Sequence, residues 1–277
     1  MSVEIKFDLG AHLRQRVSEG RKLVVPYLTC GLPTPGEFVD LYVELGAFSD
    51  AIEVGIPFSD PVMDGPVIQE ASAKALEAGV TVDGCLGLVA EALKRCSTPA
   101  VVMTYFNPIH SAGIQRFAAK AATAGVSGLI VPDLPYEECD ELDRALKDQG
   151  LSLIQLVAPT TPADRAAMLA AASRGWVYVV SRMGVTGLQN SLASAAAEVV
   201  GRVKPHTDLP VLIGVGISND ELAVEACKVA DGVIVGTAVV KRVLEFDLPG
   251  VVGLVGSIDK AVNPAGHGSS DRSTDGC

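Results

Sequence analysis

A short run of Val, Ile and Leu followed by a stretch of helical periodicity recurs along the whole chain. The runs are 23–29 (LVVPYLT), 51–57 (AIEVGIP), 100–106 (AVVMTYF), 128–133 (GLIVPD), 151–159 (LSLIQLVAP), 176–182 (WVYVVSR), 210–216 (PVLIGVG) and 231–237 (DGVIVGT). They alternate little between apolar and polar positions, as strands of a parallel sheet do when both faces are covered. Between them lie Ala-, Glu- and Leu-rich segments such as 36–46, 114–124 and 137–149. Strands alternating with helices predict an α/β fold. Eight such strands favour closure into a (β/α)8 TIM barrel, because an open doubly wound sheet usually stops at about five or six.

The spacing is interrupted once, after the second run. Residues 58–97 hold an irregular loop and two helical stretches, at about 66–79 and 83–96. An enlarged βα loop in a barrel lies on the C-terminal face, where active sites are built. A helix is expected over about 8–20, ahead of the first strand. One barrel domain is expected over 1–262, and the polar, Gly- and Ser-rich stretch 263–277 reads as a disordered tail.

Composition narrows the function. Of 277 residues, 48% are hydrophobic, enough for a large core. The formal net charge is −11, with no Lys/Arg cluster, which argues against nucleic-acid binding and against anionic membrane surfaces. No apolar run approaches the ~20 residues of a membrane span, and the first residues lack the apolar stretch of a signal peptide. The six cysteines form no C-x-x-C pair and read as reduced thiols of a cytoplasmic protein. None of the four histidines stands at ligand spacing from Cys or Glu, so no metal site is expected.

Several residues do not fit a bland core. Glu53 lies inside AIEVGIP, and strand alternation puts it on one face with Ala51 and Gly55, opposite Ile52, Val54 and Ile56. The bulky face should meet the helices, leaving a carboxylate between two small residues inside the barrel. It is either half of a core ion pair, a strand-end hydrogen-bonding group, or an acid/base group of raised proton affinity. Asp64, in PFSDPVMDGP, is either a turn residue or a second carboxylate at the same cavity, able to share acid and base roles with Glu53. Tyr178 in WVYVVSR is either a packing residue or part of that site. Glycines cluster after the last three strands: Gly184 and Gly187, Gly214 and Gly216, and Gly236 before Thr237. Glycines admit a phosphate close to the backbone, helix N-termini favour an anion, and barrels often bind phosphate after strands 7 and 8. Arg182 fits a phosphate clamp or a strand-end partner equally well.

These residues sit in segments that resemble a known family. AIEVGIPFSDPVMDGPVIQE (51–70) closely resembles the signature of the tryptophan synthase α subunit. VPYLTCGLP (25–33), VMTYFNP (102–108), GLIVPDLPYEE (128–138), YVVSRMGVTG (178–187), IGVGIS (213–218) and VGTAVV (235–240) follow in the family's order. The likeness runs from about residue 20 to 245. It implies a TIM barrel that cleaves indole-3-glycerol phosphate to indole and D-glyceraldehyde 3-phosphate by a retro-aldol reaction, in L-tryptophan biosynthesis. By the same resemblance Glu53 is the acid/base group, Asp64 stabilises charge at the indole N–H, and Tyr178 lies near the scissile side chain. Tyr27, Met103 and Tyr105 fall near the indole ring, and Gly187, Gly214, Gly216, Gly236 and Thr237 at the phosphate site. Three positions depart from the pattern: Thr237 where serine is common, Leu32 where an acidic residue is frequent, and a missing proline in VGISNDELA.

The resemblance further implies an α2β2 complex in which pyridoxal phosphate belongs to the β subunit and none to this chain. The loops bearing Asp60-Pro61 and Asn107-Pro108 would form the contact. A free-standing lyase working without a β subunit would carry the same catalytic residues. Two other classes share part of the pattern: a flavin-binding barrel oxidoreductase, and a non-catalytic partner that binds substrate and tunes another protein.

Overall fold

In a computed structural model of the chain, residues 7–180, 190–214 and 216–264 are described. Eight parallel strands close into a barrel in sequence order. They are β1 (Leu23–Thr29), β2 (Ile52–Gly55), β3 (Ala100–Met103), β4 (Gly128–Ile130), β5 (Ser152–Val157), β6 (Val177–Val179), β7 (Val211–Ile213) and β8 (Gly232–Val235). The barrel closes where Leu23–Pro26 of β1 pair with Gly232–Val235 of β8.

The strands are shorter than the apolar runs that announce them. The run 100–106 leaves the ladder after Met103, and a helix, Phe106–Ala112, begins three residues later. Its Phe106 N–H donates to the Asp133 carboxylate at 2.9 Å, a cap supplied from beyond β4. The enlarged segment after β2 does hold two helices, Pro66–Glu77 and Val82–Leu93. The N-terminal helix is Leu9–Ser18, with the Asp8 carboxylate accepting from Ala11 N–H at 2.9 Å. The last helix is Leu248–Val262, and residues 265–277, most of the expected tail, lie outside the described residues.

Alternation along each strand divides the core in two. Leu23, Val25, Ala51, Val101, Ile130, Ile154, Trp176, Tyr178, Leu212 and Ile234 pack with one another inside the barrel. Leu9 and Leu13 of the N-terminal helix join them and plug the N-terminal end. The opposite rows, including Ile52, Val54, Val102 and Val233, pack with the surrounding helices.

Buried ion pairs brace the same end. Asp50, just before β2, accepts from Arg21 Nε at 2.5 Å, Arg16 Nε at 3.2 Å and Val24 N–H at 2.9 Å. Arg21 reaches on to Asp259 of the last helix at 2.7 Å. A charged pair is tolerated out of water when its lone pairs and protons are this fully used. The plugged end is thereby fixed, and the functional groups gather at the other.

Candidate active site

Glu53 occupies the middle of β2, in register with Tyr27 of β1 and Val101 of β3. Its strand mates Ile52 and Val54 pack outward, so the carboxyl faces the barrel interior as alternation requires. It is 1% exposed, and its Oε2 has no hydrogen-bond partner. The core ion pair that the sequence left open is therefore not formed among the described residues. Loss of hydration, with the negative charge of Asp64 adding to it, pushes its proton affinity up from 4.5 to about 8. At neutral pH the side chain is mainly the neutral acid.

Asp64 lies in the loop leading to the helix Pro66–Glu77. Its N–H donates to Pro61 O at 3.0 Å, and Gln69 Nε2 donates to Asp64 O at 2.9 Å, which pins the loop to the helix it precedes. The Tyr105 hydroxyl donates to Asp64 Oδ2 at 3.0 Å and accepts from Met63 N–H at 3.0 Å. Phe58 stacks on the Tyr105 ring at 5.1 Å. Burial raises the proton affinity of Asp64, while the bond from Tyr105 favours its ionised form. Tyr105, expected beside an aromatic ligand, thus also serves as the strut of a carboxylate.

Tyr27 and Tyr178 complete the group. Both phenols are buried and their proton affinities rise well above the ordinary value, first through desolvation, then through the charges of Glu53 and Asp64. Each ring lies against a glycine. A Cβ on Gly55 would sit 1.9 Å from the Tyr27 hydroxyl, and one on Gly214 2.1 Å from Tyr178 Cε1. The Tyr178 hydroxyl donates to Gly214 O at 3.2 Å. Gly214, expected at the phosphate site, has the immediate steric task of seating a tyrosine from the neighbouring strand.

The other expected residues fall around the same mouth. Met103 ends β3 in register with Gly55 and packs on the interior cluster. Gly236 precedes the helix Thr237–Leu244, and a Cβ there would meet only Tyr27 Cβ, at 3.8 Å. Gly216 takes a positive φ of 83°, a conformation that favours glycine. A helix N-terminus beside an uncrowded glycine is an arrangement that favours an anion. Gly184, Gly187 and Arg182 lie outside the described residues. Among the described residues no three His, Cys, Asp or Glu side chains gather in a way that would hold a metal ion.

Sequence reasoning passed over Thr29. Parity alone marks it: Leu23, Val25, Tyr27 and Thr29 share the inward row of β1. Its hydroxyl is one of four buried side-chain N or O atoms without a partner among the described residues, with Glu53 Oε2, Trp176 Nε1 and Arg202 Nε.

A pair of carboxyl groups, one a neutral acid and one strutted by a tyrosine, suits proton transfer. Comparisons with known proteins point to one family. The family model described as tryptophan synthase alpha chain matches residues 13–249. The tryptophan synthase alpha chain of Synechococcus elongatus is 40% identical over 260 residues, covering 92% of this chain and 96% of that protein. Among solved structures, Mycobacterium tuberculosis tryptophan synthase matches with a TM-score of 0.84 and 40% identity, over 92% of this chain and 97% of that one. The tryptophan synthase alpha chain from Legionella pneumophila matches with a TM-score of 0.84 and 33% identity, over 94% and 99%.

Proposed function

The chain belongs to the tryptophan synthase alpha chain family, and from that premise we propose that Glu53 and Asp64 divide the work of its reaction. The chain is a carbon–carbon lyase of tryptophan biosynthesis that cleaves indole-3-glycerol phosphate. The unpartnered, neutral carboxyl of Glu53 carries the assignment of roles.

Glu53 gives its proton to indole C3, leaving an indoleninium cation. The Asp64 carboxylate, held by Tyr105, offsets the positive charge at the ring nitrogen. The Glu53 carboxylate then takes the proton of the hydroxyl on the carbon attached to C3. A C=O bond forms there, the C3–carbon bond breaks, and its electron pair restores the indole ring. Glyceraldehyde 3-phosphate leaves and Glu53 is again the neutral acid, so no net proton is exchanged. Tyr178 flanks the scissile side chain, and Tyr27, Met103 and Tyr105 flank the ring. Gly187, Gly214, Gly216, Gly236 and Thr237 take the phosphate. Acid/base transfer of this kind contributes ~10²–10⁴-fold, and no cofactor is assigned to this chain.

A β subunit carrying pyridoxal phosphate is the proposed partner, in an α2β2 complex. Support comes from the mouth's outer rim, where Val62 is 76% and Met63 61% exposed. A groove beside it runs from Pro57–Ser59 to Pro108 and Ala112, joining the loop after β2 to the helix Phe106–Ala112, which holds the Asn107-Pro108 pair expected in a loop. No helix among the described residues is long and apolar enough to cross a membrane, and a cytoplasmic location is proposed.

The test is indole release from indole-3-glycerol phosphate by the purified chain, with and without a tryptophan synthase β subunit. Slow turnover that rises with the β subunit and is lost in Asp64→Asn is expected. Fast turnover indifferent to the β subunit would make the chain a free-standing lyase.

A further inference from the structure

Thr29 is 3% exposed, and its Oγ1 is buried without a hydrogen-bond partner. Leaving a buried hydroxyl unpaired costs on the order of 1–3 kcal/mol, and such atoms are scarce unless something else pairs with them. The Thr29 hydroxyl lies close enough to the Tyr27 phenol to lower its proton affinity as a hydrogen bond would, against the larger effects of burial, Asp64 and Glu53, but the contact falls short of full hydrogen-bond geometry and leaves Oγ1 free to pair with another group. The only other unpartnered buried atom at this mouth, among the described residues, is Glu53 Oε2 on the adjoining strand.

Topology says what passes between them. In the closed barrel β1 lies between β2, which carries Glu53, and β8, which leads to Gly236 and Thr237. A molecule with its reacting carbon at Glu53 and its phosphate at Gly236 must cross the inward face of β1. Thr29, paired with Gly55, stands one step nearer the mouth than the Tyr27–Glu53 pair. Gly55 presents no side chain there, so the space before Thr29 is bounded by the Tyr27 ring. The segment of the substrate that makes this crossing carries two hydroxyls. One is consumed by Glu53 in the cleavage, and the other sits on the carbon next to the phosphate-bearing one.

We propose that the Thr29 hydroxyl binds the substrate's second, non-reacting hydroxyl and so sets the reach between Glu53 and the phosphate cradle. The proposal rests on the lyase reading above. It makes Thr29 a substrate-binding residue that selects chains hydroxylated at that carbon. A neutral hydrogen bond made equally in the bound and transition states affects mainly KM.

The experiment compares wild type, Thr29→Val and Thr29→Ser on two probes: indole-3-glycerol phosphate, and its deoxy analogue lacking only the non-reacting hydroxyl. Thr29→Val should raise KM for the natural substrate about fivefold to tenfold, with Thr29→Ser restoring most of it. On the deoxy analogue wild type and Thr29→Val should match. The melting temperature of Thr29→Val should equal or exceed that of wild type, because an unpaired buried hydroxyl has been replaced by a methyl of the same shape. Equal losses on both probes, no loss on either, or a lowered melting temperature would overturn the proposal. Wild type inactive on the natural substrate would instead overturn the lyase reading, and this proposal with it.

Discussion

Asp50 and Glu53 are buried carboxylates three residues apart, one just before β2 and one within it, and their surroundings are opposite. Asp50 lies at the plugged end and accepts from two arginines and a backbone N–H. Glu53 lies toward the open end with one oxygen unpartnered, its nearest charged influence a second carboxylate. The first arrangement holds a charge in place; the second denies a charge and keeps a proton. Burial alone therefore does not distinguish a structural carboxylate from a catalytic one, whereas the donors facing it do. The barrel separates the two tasks along its axis, so the mouth keeps the reactive carboxyl while the plugged end supplies stability.

Substitutions should separate the two ends in the same way. Glu53→Gln removes the transferable proton and should lower kcat for indole release by ~10³-fold in steady-state assays, with the fold intact by circular dichroism. Asp50→Ala leaves Arg21 buried beside a vacancy, and denaturant unfolding should show a loss of about 3–5 kcal/mol, while turnover per folded molecule stays near wild type.

Glu53→Gln should also reveal a stability cost. The folded-state proton affinity of Glu53 is raised, so its favourable contribution is complete below 4.5 and is lost as pH rises through about 8. Between those values the unfolded chain releases a proton that the folded chain retains, and wild type weakens with rising pH. Glutamine does not titrate. Unfolding free energies should therefore turn in favour of Glu53→Gln from pH 5 to pH 9, by at most ~4 kcal/mol; parallel curves would break the contrast with Asp50. Smallest of all, Tyr105→Phe removes the donor to Asp64 and should lower kcat/KM about tenfold, measured against an unchanged melting temperature.

Much of this is legible in the sequence. Strand phase was plain because both faces of a barrel strand are apolar, so Glu53 stood out against Ile52 and Val54 by parity. Strand ends were not, because the ladder stops where partners diverge: residues 104–106 look like more strand, but a carboxylate from beyond β4 caps a helix there. Gly214 was legible as a glycine with a reason, but the reason, the Tyr178 ring, arrives from another strand. Thr29 was readable only as a common strand residue; its significance is the absence of a partner, which no sequence displays.

The most direct test of the central claim is the pH dependence of kcat/KM for cleavage of indole-3-glycerol phosphate by the wild-type chain. A reaction begun by neutral Glu53 with Asp64 ionised should run at a plateau from neutral pH to about pH 8 and fall tenfold for each further pH unit, following the raised proton affinity of Glu53. A rate already falling near pH 5, or one that keeps rising beyond pH 8, would contradict it, for Glu53 would then start the reaction as a carboxylate.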